Sequence, residues 1–144
     1  MTTTLDPSLS IRGKIIAALR ADATLTAIIP AERIYPTKGP ASPTFPFIRV
    51  PMLIGTPAEL DGGSGSDQSG VIHCFTKLAT GVADPEAQAA VINRHIVRIL
   101  SQIDDVDLGD GESLGIHVTQ TQVIMDSAEA DAFHGMVSVR AVAS

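Results

Sequence analysis

The sequence predicts an α+β domain: a four-stranded, mainly antiparallel sheet with two helices packed on one face, in the order α-β-β-α-β-β. Three observations lead there. Asp6-Pro7 and Asp84-Pro85 each open a stretch with helical apolar spacing. The stretches that follow each helix switch to a period of two. The 144 residues, 44% hydrophobic and 18% charged, suit one domain over residues 1–144 with a sizeable core.

Asp6 is an N-cap with Pro7 at the first helical position, where a missing N–H costs nothing. Leu9, Ile11, Ile15, Ile16 and Leu19 form the apolar side, with Arg12, Lys14 and Arg20 facing water. Residues 23–29 read as one more short helical turn, and Pro30 ends it. Pro36, Gly39, Pro40 and Pro43 make residues 31–44 a connection. From Phe45, Ile48, Val50, Met52 and Ile54 alternate with Phe47, Arg49, Pro51 and Leu53, which is a first strand. Pro51 cannot donate to a ladder, so that strand is an edge or is bulged there.

Residues 61–70 form a flexible polar loop by composition, and residues 71–78 a second strand. After Asp84, Ala89, Ile92, Ile96, Ile99 and Ile103 make the apolar stripe of the second helix, widened by Val97 and Leu100. An acidic loop over residues 104–112 leads to a third strand near 114–125, a turn at 126–131, and a fourth strand at 133–142. The strands pair as two hairpins joined by a β-α-β crossover.

Charge and composition exclude several functions. Ten basic against sixteen acidic residues, a net charge of −6, argue against electrostatic grip on nucleic acid. Trp is absent and aromatics are 3%, so stacking platforms for bases are scarce. No apolar run approaches the roughly 18 residues of a membrane span. The N-terminus lacks the basic start and apolar block of a secretory signal. Cys74 is the sole cysteine and cannot form an internal disulfide, which fits a reducing cytoplasm.

No catalytic, cofactor or metal constellation emerges. His73, His95, His117 and His134 have no paired spacing, and a zinc site needs three or four converging ligands. His73 and Cys74 point to opposite faces of one strand, so adjacency does not make them a base and nucleophile. Calcium loop register fails in the run from Asp104 to Glu112: counted from Asp105, Gly109 takes position five and Asp110 the glycine position. The glycines of residues 62–70 lack a Lys-Ser/Thr ending and a following helix, so they are no phosphate cradle.

Taken together, the chain resembles the tail completion, or tail terminator, family of long-tailed phages and gene transfer agents. The likeness runs from Ile15-Ile16-Ala17-Ala18-Leu19 through Leu25-Thr26-Ala27-Ile28-Ile29 to Arg33-Ile34-Tyr35-Pro36. It continues in Phe45-Pro46-Phe47-Ile48-Arg49-Val50, the Gly-rich arm, Val71-Ile72-His73-Cys74-Phe75 and the closing His134-Gly135-Met136-Val137-Ser138-Val139-Arg140. Phe75 stands near where relatives often carry Trp. The resemblance implies a non-enzymatic virion protein, assembled in the bacterial host cytoplasm. It implies a ring, usually hexameric, on the last ring of tail-tube protein, which stops tube growth and joins a head-tail neck protein. DNA would pass through the lumen without specific binding.

Two segments are candidate sites for such a part. Asp61, Gly62, Gly63, Ser64, Gly65, Ser66 and Asp67 form a docking arm, expected to be mobile until it meets a partner. Asp104, Asp105, Asp107, Asp110 and Glu112 lie at the same end of the sheet, in a loop facing the lumen or the neck. Neither segment holds a Lys or Arg to neutralise its acids. The competing readings are another connector or stopper of the neck, and a small cytoplasmic enzyme or ligand-binding domain using His73, His117 and His134.

Overall fold

The computed structural model describes residues 8–60, 63–103, 106–107, 113–126 and 130–143. Helix α1 (Ser8–Ala21) and the single turn α2 (Ala23–Thr26) lead through a 3-10 turn (Ala31–Arg33) into β1 (Ile34–Tyr35). Then follow β2 (Phe47–Arg49), β3 (Ile54–Leu60), β4 (Gly63–Lys77), α3 (Pro85–Ser101), β5 (Val106–Asp107), β6 (Ser113–Met125) and β7 (Ala132–Ala143). The expected Asp6 cap lies outside the described residues. Its counterpart is seen at Asp84, whose carboxylate accepts from the Ala87 N–H while Pro85 occupies the first turn.

The α+β class holds, but the sheet is larger than four antiparallel strands. Among the described residues it has seven, in the order β1-β2-β4-β7-β6-β5, with β3 also pairing β4. The β1–β2 pair is parallel, so the sheet is mixed. Two-residue strands such as β1 and β5 carry no periodicity from which a sequence could announce them.

The expected first strand, Phe45 to Ile54, covers β2 but only the first residue of β3, and these two strands lie end to end along one edge of β4. Phe47–Arg49 pairs with residues 73–75, and Ile54–Leu60 with residues 63–69. Residues 50–53, around Pro51, stand outside that ladder. The interruption reverses the burial phase. Val50 and Leu53 enter the core, whereas Met52 and Ile54, expected on the Val50 side, are exposed. Gly70 makes room for this, since a Cβ there would meet the Leu53 side chain at 3.0 Å.

The expected loop over 61–70 is likewise corrected where it is described. Gly63, Ser64, Gly65, Ser66 and Asp67 belong to β4, while Asp61 and Gly62 lie outside the described residues. Glycine is a poor strand former. Pairing on two sides overrides that, with β3 along one edge and Ala141 to Ala143 of β7 along the other from Ser66 onward.

The core lies between one sheet face and the helices. Ile11, Ile15 and Leu19 of α1 meet Leu25, Ile29, Ile34 and Ile48, while Ala89, Ile92, Ile96 and Leu100 of α3 share one cluster with Ile72, Cys74, Val137 and Val139. Leu9, placed on the apolar side by spacing, is instead exposed. Two buried polar residues are tied. Asn93 donates to the Gln122 carbonyl at 3.0 Å and accepts from Cys74 Sγ, and Thr76 donates to the Pro85 carbonyl.

Candidate assembly face

Alternation along β4 sends Ile72, Cys74 and Thr76 into the core and leaves Val71, His73, Phe75 and Lys77 on the opposite face. No helix of the described chain covers that face. Register lines its residues in rows. Phe47, Phe75, His134 and Ile124 are successive partners across β2, β4, β7 and β6. The next row is Arg49, His73, Met136 and Gln122.

The first row is a ladder of rings. Phe47 and Phe75 stack at 4.8 Å between centroids, Phe75 and His134 at 4.4 Å, and Phe45 meets Phe47 edge-on at 5.1 Å. It ends in an exposed apolar side chain, Ile124. Beside it, His73 Nδ1 and His134 Nε2 stand 2.7 Å apart, so one ring donates and the other accepts. Burial pushes both imidazoles below their ordinary range, and for His73 the neighbouring His134 and Arg49 push the same way. Near neutral pH the pair is therefore uncharged.

At the β2 end of the ladder, the chain before β2 folds over the rings. Ala41, Ser42, Pro43, Phe45, Phe47, Arg49, Phe75, Lys77 and Asp126 line a cavity of about 550 Å³. Three arginines hold this connection. Arg20 donates to the Ile34 carbonyl at 2.6 Å, Arg12 to the Thr37 hydroxyl and Arg33 to the Phe45 carbonyl. Helix α1 thus does more than turn Arg12 and Arg20 to water.

Of the candidate arm, Asp67 alone has a described side chain. Arg140 of β7 grips it with two nitrogens, at 2.6 Å for the shortest contact, and holds its carboxyl below the usual range. Asp67 is therefore paired after all, by a residue far off in sequence and diagonally opposite in the sheet. Asp104, Asp105, Asp110 and Glu112 lie outside the described residues. The backbone of Asp107 is placed in β5 opposite Ser113. Leu114 next to it faces Ala143, which faces Ser66, so Asp107 and the arm share one end of the sheet.

The histidine readings separate. His117 is exposed and lies opposite Arg140, and His95 sits on α3 beside Arg98. Cys74 is on the far side of β4 from His73, and burial pushes its thiol up to about 12, so it is no nucleophile for that pair. Among the described residues no three His, Cys, Asp or Glu side chains converge as a metal-ligand set. Sequence reasoning missed the His73–His134 pair and the ring ladder. Aromatic or histidine residues at alternate positions 45, 47, 73 and 75 were a signal for the ladder, but His134 joins only through the β4–β7 register.

A family model described as Tail completion protein gp17 matches residues 13–144. The chain belongs to the tail completion family. It is a structural protein of the phage-tail type, and the open face just described belongs to a virion tail component. A chain of the solved structure "Virion of native gene transfer agent (GTA) particle" has a similar fold, with TM-score 0.67 at 21% identity. The likeness covers 92% of this chain and 93% of that one. No curated protein matches this chain. Among the described residues no helix is long and apolar enough to cross a membrane.

Proposed function

We propose that this tail completion protein acts as one domain, residues 1–144, that closes the tail tube. Copies form a ring, hexameric in number, on the last ring of tube protein, end its polymerisation and present the surface that a head-tail neck protein joins. The chain does no catalysis and needs no cofactor, and assembly takes place in the bacterial host cytoplasm. The match to the tail completion family over residues 13–144 carries this reading. The uncovered sheet face, with its ring row and exposed Ile124, supports it as subunit or tube contact.

The β3–β4 hairpin is the docking arm in this reading, with Asp61, Gly62, Gly63, Ser64, Gly65, Ser66 and Asp67 at and beside its tip. Asp104, Asp105, Asp107, Asp110 and Glu112 belong to an acidic end that faces the lumen, where DNA slides past without adhering, or a basic neck neighbour. Native mass spectrometry of the chain, alone and mixed with tube protein, tests the ring. A hexamer in either mixture is the expected result, and a strict monomer in both overturns it. Deleting residues 62–66 should leave folding intact but remove binding to tube or neck; undiminished binding would end the arm's role.

A further inference from the structure

Arg49, half-buried, is out of keeping with five of the chain's six other arginines; the sixth, Arg94, is exposed on α3. Arg98 and Arg140 each clasp a carboxylate, and Arg12, Arg20 and Arg33 each donate to an oxygen. Arg49 meets no carboxylate among the described residues, although acids outnumber bases sixteen to ten. Its Nε is buried without a hydrogen-bond partner. Its guanidinium lies 5.4 Å from the centre of the Phe47 ring and lines the cavity whose other walls include Phe45 and Phe75. Lys77 and Asp126, in the same cavity, have interactions of their own.

We propose that this cavity receives a carboxylate side chain, aspartate or glutamate, that a partner polypeptide carries next to an apolar side chain. The carboxylate supplies the countercharge that Arg49 does not meet among the described residues, and a planar guanidinium suits its two oxygens. The apolar neighbour packs on the half-buried rings of Phe45 and Phe75. A phosphate fits less well, because Asp126 shares the cavity and repels the more highly charged group more strongly. That the ligand is a polypeptide rests on the assembly reading above. The carboxylate preference rests on the cavity alone.

Titration of the isotope-labelled protein with acetyl-Phe-Asp-amide, followed by NMR, tests the inference. Saturable shifts of Arg49, Phe47 and Phe75 resonances are expected. Acetyl-Phe-Asn-amide should bind about tenfold more weakly or worse, because it lacks the charge-assisted bond. Arg49→Gln should lose the preference for Asp over Asn, and Arg49→Lys should keep part of it. Absence of saturable shifts, equal binding of the Asp and Asn peptides, or tighter binding of phenyl phosphate would each overturn the proposal. The peptide contrast is read on the unmutated chain, so it stands even if Arg49→Gln fails to fold. Failure here leaves the ring assay untouched, and a monomer in that assay leaves the carboxylate preference untouched.

Discussion

A Cβ at Gly135 would stand 2.5 Å from Cys74 Sγ and 2.6 Å from Asn93 Oδ1. Both atoms belong to buried side chains, and Asn93 is anchored to the Gln122 carbonyl, so neither can swing away cheaply. Gly135→Ala should therefore destabilise the fold by about 1–3 kcal/mol, a typical cost of overpacking. Urea denaturation checks this, and a midpoint unchanged from the parent would show that the site relaxes. On the other face of the sheet, His73 and His134 have folded-state affinities for protons below their unfolded ones. Above the ordinary imidazole range, near pH 6.5, they cost nothing. As pH falls below it, the unfolded chain binds protons that the folded one refuses, and stability declines until the folded pair titrates. His134→Phe should extend the Phe75 stack and flatten the fall in Tm between neutral pH and about pH 5.5. An equally steep fall in that variant would place the acid sensitivity elsewhere.

Between elements, Asp22 does two jobs. It caps the short α2 by accepting from the Leu25 N–H, and it takes both terminal nitrogens of Arg98 on α3, at 2.9 and 3.0 Å. The hydrogen bonds from Arg98, then that from Leu25, bring its carboxyl down to about 2. The stabilisation is complete above the unfolded value near 3.8 and is lost as pH falls from there through about 2. Asp22→Ala should cost about 1 kcal/mol through the cap alone. Asp22→Asn keeps the accepting oxygen and loses the charge, so it should unfold at a Tm between the two and show less acid dependence below pH 4 than the parent. Thermal scans of the three proteins decide it; an Asn variant no better than Ala would mean that the cap contributes nothing. The helix carrying Arg98 was readable beforehand because Asp84-Pro85 and an unbroken apolar stripe agree with each other. The break at residues 50–53 was half readable. Pro51 announced an interruption, but which of Met52 and Leu53 turns inward depends on Gly70 across the ladder, and sequence alone does not pair them.

At the scale of the molecule, the α+β class, both principal helices and the antiparallel β6–β7 hairpin follow from local periodicity. The extent of β4 does not, because its glycine-rich half is strand only by virtue of its two neighbours. The assembly face was hidden for a similar reason. Phe47, Phe75 and His134 become one row through registers spanning 28 and 59 residues of chain. The interrupted edge of β4 has a mechanical consequence. Tension applied at the hairpin tip runs down the continuous backbone of β4 and across its ladder into β7, beneath α3. Along the other edge the path stops at residues 50–53, which share no ladder with β4. β2 thus takes load only across its own short ladder to β4, whose Phe75 and Lys77 also line the Arg49 cavity. A copy held by its arm therefore passes the pull to its cavity through β4 and not through β3, so the two contacts are mechanically linked.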